Sequence, residues 1–147
     1  MIPPLMQKIS VLLAPASQTN SATRTANLDC LGADYATIIM NFASAINTNA
    51  VGPTISLKES DDTTASNFVT FNSNLSLTQH SIAAAHQTVF HVDTRARKRY
   101  LRLTETTDTT TNDNVTMGAT AILSRLSQSP AAASSNLGST NDSVVVA

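Results

Sequence analysis

The chain has 147 residues, enough for one domain with a buried core, and carries a formal net charge of −1. Only 13% of its residues are charged, against about 25% in an average soluble chain. That near-neutral balance argues against steering toward nucleic acid or a membrane surface. Thr, Ser and Asn take the place of the missing charge. The branched Cβ of Thr suits a half-buried pleated surface, and Ser and Asn supply turns. The composition therefore points to an all-β chain rather than a helical bundle, with charge-poor faces suited to lasting contacts.

In chain order, residues 8–14 form a short apolar run bounded by prolines and predict a buried or edge strand. Residues 17–27 are polar, with Ala22, Arg24 and Ala26 alternating with Thr23 and Thr25, the pattern of a solvent-facing edge strand. Residues 28–32 are expected to turn the chain. Residues 35–45 carry the strongest alternation: Ala36, Ile38, Met40 and Phe42 fall on one face, and Tyr35, Thr37, Ile39 and Asn41 on the other. Residues 47–53 read as a loop, and 54–59 as a strand with Ile55 and Leu57 inward. Residues 60–64 form a polar turn. Phe68, Phe71 and Leu75 anchor an irregular stretch over the core, and residues 82–85 fit either a helical turn or a strand start.

Residues 87–93 predict a strand with Phe90 and Val92 on one face, followed by a basic turn at 94–98. The returning strand, 99–106, places Leu101 and Leu103 together. A polar turn at 107–114 leads to the last expected strand, 115–126, with Val115, Met117, Ala119, Ala121 and Leu123 on one face. About seven or eight short strands separated by turn signals point to an antiparallel β-sandwich or barrel. The expected division is an N-terminal arm or edge strand at 1–19, a β-sandwich at 20–126 and a Ser/Ala-rich C-terminal arm at 127–147. The arm lacks core periodicity. Its Val144, Val145 and Val146 are expected to add to the sheet edge of another chain.

Few residues suggest chemistry. Arg95, Arg97, Lys98 and Arg99, with Arg102 close by, concentrate the positive charge in one hairpin. They suit docking to an acidic protein surface, because a guanidinium bonds carboxylates in a planar, bidentate way. The bland alternative is a solvated turn that guards a strand edge. Nucleic acid would call for stacking aromatics, and only Tyr100 stands among these cations. His80, His86 and His91 have neither helical nor zinc-site spacing, so no metal is expected. Glu59, Asp61 and Asp62 read as an acidic turn, since the further ligands and the Gly of a calcium loop are missing. There is no nucleophile elbow, phosphate-binding loop or dinucleotide fingerprint. The expectation is a non-enzymatic protein with no cofactor, no small-molecule substrate, no nucleic-acid partner and no membrane partner.

Cys30, the single cysteine, has no internal disulfide partner and reads as a small buried side chain made in a reducing compartment. Met1-Ile2-Pro3-Pro4-Leu5-Met6 has no positive charge ahead of its apolar residues, and Val11-Leu12-Leu13-Ala14 stops at Pro15. Neither a secretory signal nor a transmembrane segment is expected.

Three segments carry a resemblance: Leu28-Asp29-Cys30-Leu31-Gly32-Ala33-Asp34-Tyr35-Ala36, Leu57-Lys58-Glu59-Ser60-Asp61-Asp62, and Asp93-Thr94-Arg95-Ala96-Arg97-Lys98-Arg99-Tyr100-Leu101. Together, across roughly residues 20–125, the chain resembles small structural proteins encoded beside the major capsid gene of tailed bacteriophages. Some of these are head decoration, or cement, proteins with a jelly-roll-like β-sandwich. The chain departs from their pattern at Ala96, where Gly is common, and at Cys30, where Thr is common. The resemblance implies a virion protein, made in the bacterial host cytoplasm, that binds the mature capsid exterior and bridges capsomers. Its partners would be the major capsid protein and its own copies, as a homodimer or homotrimer. Head–tail joining and a head-fibre or adhesion role are the neighbouring possibilities.

Overall fold

The computed structural model describes residues 7–19, 21–43, 53–70, 77–78, 85–107, 115–125 and 141–146. They form two packed sheets built from β1 (Gln7–Gln18), β2 (Thr23–Asp29), β3 (Tyr35–Phe42), β4 (Thr54–Ser60), β5 (Leu77–Thr78), β6 (His86–Asp93), β7 (Tyr100–Thr106), β8 (Val115–Ser124) and β9 (Asn141–Val146). One sheet has the order β1-β8-β3-β6-β9 and the other β2-β7-β4-β5. Every pairing is antiparallel except β6 with β9. A single 3₁₀ turn at Ala65–Asn67 is the one helical element among the described residues, and none of their helices is long and apolar enough to cross a membrane.

Period-2 alternation builds the core. Ala36, Ile38, Met40 and Phe42 of β3 face Ile55 and Leu57 of β4 and Leu101 and Leu103 of β7, with Phe90, Val92, Met117, Ala119, Ala121 and Leu123 completing the layer. Ile38, Met40, Ile55, Leu57, Phe90 and Leu101 are wholly shielded from solvent. A fully buried side chain of this size contributes roughly 1.5–3 kcal/mol through the water it sheds. Cys30 is buried in the same cluster, and that burial pushes its thiol up to about 12.

Several boundaries differ from the expectation. β1 continues through Pro15 to Gln18, because an edge strand tolerates a residue without an N–H. Two register shifts against β8, between Val11 and Leu13 and between Leu13 and Ala16, absorb the irregularity. Leu28 and Asp29 finish β2 instead of turning the chain. The turn falls at Leu31 and Gly32, where Gly32 supplies a φ of 78°. Among the described residues, positive φ occurs otherwise only at Ser21, so the Arg97 N to Thr94 O turn closes with Ala96 in an ordinary conformation.

The last strand is not β8. Residues 141–146, expected to belong to a flexible arm whose valines join the sheet edge of another chain, instead form β9 and run along β6 of the same chain, with Phe90 opposite Val144, His91 opposite Val145 and Val92 opposite Val146. Composition described the low-complexity stretch before this strand and masked its short valine run. Phe71, Leu75 and the segment 82–84 lie outside the described residues.

Candidate interaction surfaces

The basic hairpin is positioned by the β6–β7 connection and fastened to the loop after β2. Thr94 N donates to Asp34 O at 2.9 Å and Thr94 Oγ1 to Ala33 O at 2.8 Å, while Cys30 N donates to Arg99 O at 2.9 Å. Two aspartates begin these turns by accepting from the N–H two residues on: Arg95 N bonds Asp93 Oδ1 at 3.1 Å, and Leu31 N bonds Asp29 Oδ1 at 3.0 Å.

The charge of the hairpin is largely answered within the chain. Arg95 forms an ion pair with Asp93 and lies over the Tyr35 ring at 4.9 Å. Lys98 Nζ is 3.3 Å from Asp61. Arg99 holds Asp29 through Nε and Nη2 at 3.0 and 2.7 Å and lies 4.8 Å from the Tyr100 ring centre. Hydrogen bonds from Arg95 and Arg99 hold the carboxyls of Asp93 and Asp29 below the usual range, and the same bonds raise both guanidiniums. Arg97 is half-buried at the same tip. The hairpin is thus an ordered, mixed-charge surface rather than a bare positive patch. Arg102 leaves the cluster: it bonds Asn27 Oδ1 at 2.8 Å and stacks 3.7 Å over Phe68.

The two outward sheet faces differ sharply in chemistry. On the four-stranded sheet, the rows Thr23–Thr106–Thr54 and Thr25–Thr104–Ser56 lead to Asn27–Arg102–Lys58. That is the polar outer face expected of an antiparallel sandwich. On the five-stranded sheet, register places Ile9, Ile122, Thr37 and His91 in one row and Val11, Thr120, Ile39 and Val89 in the next. Neither row holds an acidic or basic group other than His91. Thr37 Oγ1 lies 3.2 Å from His91 Nδ1, and burial lowers the pKa of this imidazole, favouring its uncharged form. At the strand edge, Ile9 is 69% and Val11 67% exposed. The charge-poor composition foreshadowed such a face; the outward placement of Ile39 was also legible, but Ile9 and Val11 were read only as part of an apolar run.

Other candidates hold no assembled site. His80 lies outside the described residues, and no group of three or more His, Cys, Asp or Glu among the described residues is arranged to hold a metal. Asp62 accepts from Thr64 N at 2.7 Å and Asn67 Nδ2 at 2.8 Å, and these bonds keep its carboxyl below the usual range. It serves the acidic turn. A cleft of about 500 Å³ opens between Lys8, Asp29, Leu31, Gly32 and Arg125. Arg125 Nε donates to the Gly32 carbonyl across it. A smaller apolar groove of about 380 Å³ lies beside Val11, Leu13, Pro15, Phe42 and Met117.

Comparison with protein-family models, with curated proteins and with solved structures finds no match for this chain.

Proposed function

We propose that this protein is a virion structural protein: a capsid decoration, or cement, protein of the tailed-bacteriophage kind. It binds the exterior of the mature shell and bridges neighbouring capsomers. The observation that carries this reading is the outer face of the five-stranded sheet, where the rows through Ile9 and Val11 place apolar and Thr side chains together with one half-buried His. A monomer has no need of such a face, whereas a protein that spends its life against other subunits does.

Two further features support it. The orders β1-β8-β3-β6 and β2-β7-β4-β5, with successive strands passing repeatedly between the sheets, favour a jelly roll, an architecture common in viral capsid domains. The ordered hairpin of Arg95, Arg97, Lys98 and Arg99, with the aspartates it pairs, offers a mixed-charge surface to a complementary patch on the major capsid protein. β9, which holds Val144, Val145 and Val146, widens the same sheet by one strand beside β6.

The mechanism is mass action. A protein that binds only the mature shell stabilises that shell by RT ln(1 + [L]/Kd), about 2.7 kcal/mol per site at a hundredfold excess over Kd. It needs neither catalysis nor a cofactor. The test is the temperature at which filled capsids release DNA, measured with and without the protein. A higher release temperature with the protein is expected, and an unchanged one would refute cementing.

A further inference from the structure

Three cations of the hairpin are answered within the chain, but two cations elsewhere are not. Arg95, Lys98 and Arg99 pair with Asp93, Asp61 and Asp29. Lys8 and Arg125 both line the cleft of about 500 Å³ beside the loop after β2. Among the described residues, neither has a carboxylate within ion-pair distance. Asp29, the acid on the rim of this cleft, is already committed: Arg99 holds both of its oxygens, and Leu31 N donates to Oδ1. The cleft therefore carries surplus positive charge with no anion of the described residues to answer it.

Arg125 is also held in one pose. Its Nε donates to the Gly32 carbonyl. Gly32, at a φ of 78°, has no side chain to push the guanidinium away; a Cβ there would stand 2.8 Å from Arg125 Nη2. The bond fastens the guanidinium by one edge and leaves its Nη groups without an acceptor among the described residues. A group oriented in advance loses less freedom when it forms paired bonds to an anion. A lysine on an edge strand discourages further pairing, which accounts for Lys8. It does not account for Arg125, which follows β8, an interior strand.

We propose that this cleft binds one carboxylate side chain of a partner protein, bonded by the Nη groups of Arg125 and neutralised by Lys8, with an apolar neighbour of that side chain resting on Leu31. Two features select this ligand. The exposed Leu31 lines the cleft together with Leu123, and a free phosphate would leave that apolar surface wet, whereas a peptide segment covers it. Two cations with Asp29 on the rim suit a single carboxylate, while the run of phosphates in a nucleic acid calls for a longer basic track. That the partner is the capsid shell rests on the function proposed above; the carboxylate site does not.

The test titrates the full chain with a capped Gly-Glu-Leu-Gly peptide, its Gly-Gln-Leu-Gly counterpart and inorganic phosphate, followed by proton–nitrogen NMR at the Gly32 amide and the Arg125 Nε–H. The acidic peptide should give saturable shifts at both groups, and the Gln peptide should bind at least tenfold more weakly. Lys8→Gln should lower affinity about three- to fivefold with an unchanged Tm, as loss of an exposed ion pair does. Arg125→Lys, which keeps the charge but not the planar fork, should also lower it. Equal binding of the two peptides, tighter binding of phosphate, or no shift at either group would overturn the proposal. Shells are tested separately: the double variant of Lys8→Gln and Arg125→Lys should lower occupancy on mature shells at least tenfold. If the peptide binds while that variant attaches to shells as the wild type does, the carboxylate site stands and its partner is not the shell. A wild type that takes the peptide but ignores shells sinks the capsid reading and leaves this one standing.

Discussion

Arg24 and Glu105 stand directly opposite each other on β2 and β7, yet they do not form an ion pair. Arg24 turns to the other sheet, donating to Met117 O at 3.2 Å and Ala14 O at 2.6 Å. Glu105 is left with no exposed surface, and neither carboxylate oxygen has a hydrogen-bond partner among the described residues. Burial pushes its pKa up to about 7, with the charge of Arg24 pulling modestly the other way.

Stability should therefore fall as pH rises across this group. The folded pKa lies above the ordinary 4.5, so the native state holds its proton longer than the unfolded chain does. The contribution is complete below pH 4.5 and is lost as pH rises through about 7. The loss is of the order of 3 kcal/mol for a shift of this size. His91, whose pKa burial lowers, acts in the opposite sense near its ordinary 6.5. The difference between the wild type and Glu105→Gln isolates the carboxyl. Urea melts at pH 5 and pH 8 should show Glu105→Gln gaining stability relative to the wild type at the higher pH. A constant difference would contradict this account.

Gly118 should resist enlargement. A Cβ there would sit 3.1 Å from Pro15 Cγ and 3.2 Å from the Leu13 carbonyl, because the irregular part of β1 folds closely over β8. Gly118→Val should destabilise the protein by about 1–3 kcal/mol. A Tm equal to the wild type would show that β1 moves aside freely.

The core was legible because its signal is local. Alternation alone placed Ile38 with Met40, Ile55 with Leu57, Phe90 with Val92 and Leu101 with Leu103 on one face of their strands, and all are buried in the core. Extending the same alternation from Leu101 and Leu103 by one step reaches Glu105, a carboxylate that polarity alone would assign to solvent. The contacts that place Arg95 beside Asp93 were within reach of sequence, being two residues apart. Those that join Arg99 to Asp29 were not, since they depend on how two loops meet at one end of the sandwich. The bond from Arg24 to Ala14 was likewise hidden, because it forms only through the packing of the two sheets.

Placing a charge on the uncharged face should separate folding from attachment. Ile39→Lys and Val89→Lys, on neighbouring strands of that face, should each change stability by no more than about 1 kcal/mol, because a lysine stem covers the sheet while its amine reaches water. Each should lower occupancy on mature shells at least tenfold. Full occupancy would move the contact elsewhere on the molecule.

Arg97→Glu tests the hairpin. It should weaken attachment to shells while far-UV circular dichroism stays unchanged. Rising salt should weaken wild-type attachment too, since exposed charges are screened within about 8–10 Å at physiological ionic strength. Salt-independent attachment, with Arg97→Glu bound as well as the wild type, would remove the hairpin from the interface.

The central claim is that this sandwich functions by binding a mature shell through its faces. The most direct measurement is co-sedimentation of the purified protein with empty mature capsids and, in parallel, with immature procapsids. The account predicts saturable binding to mature shells, at a fixed ratio to the major capsid protein, and little or none to procapsids. No binding to mature shells would contradict it, as would equal binding to both.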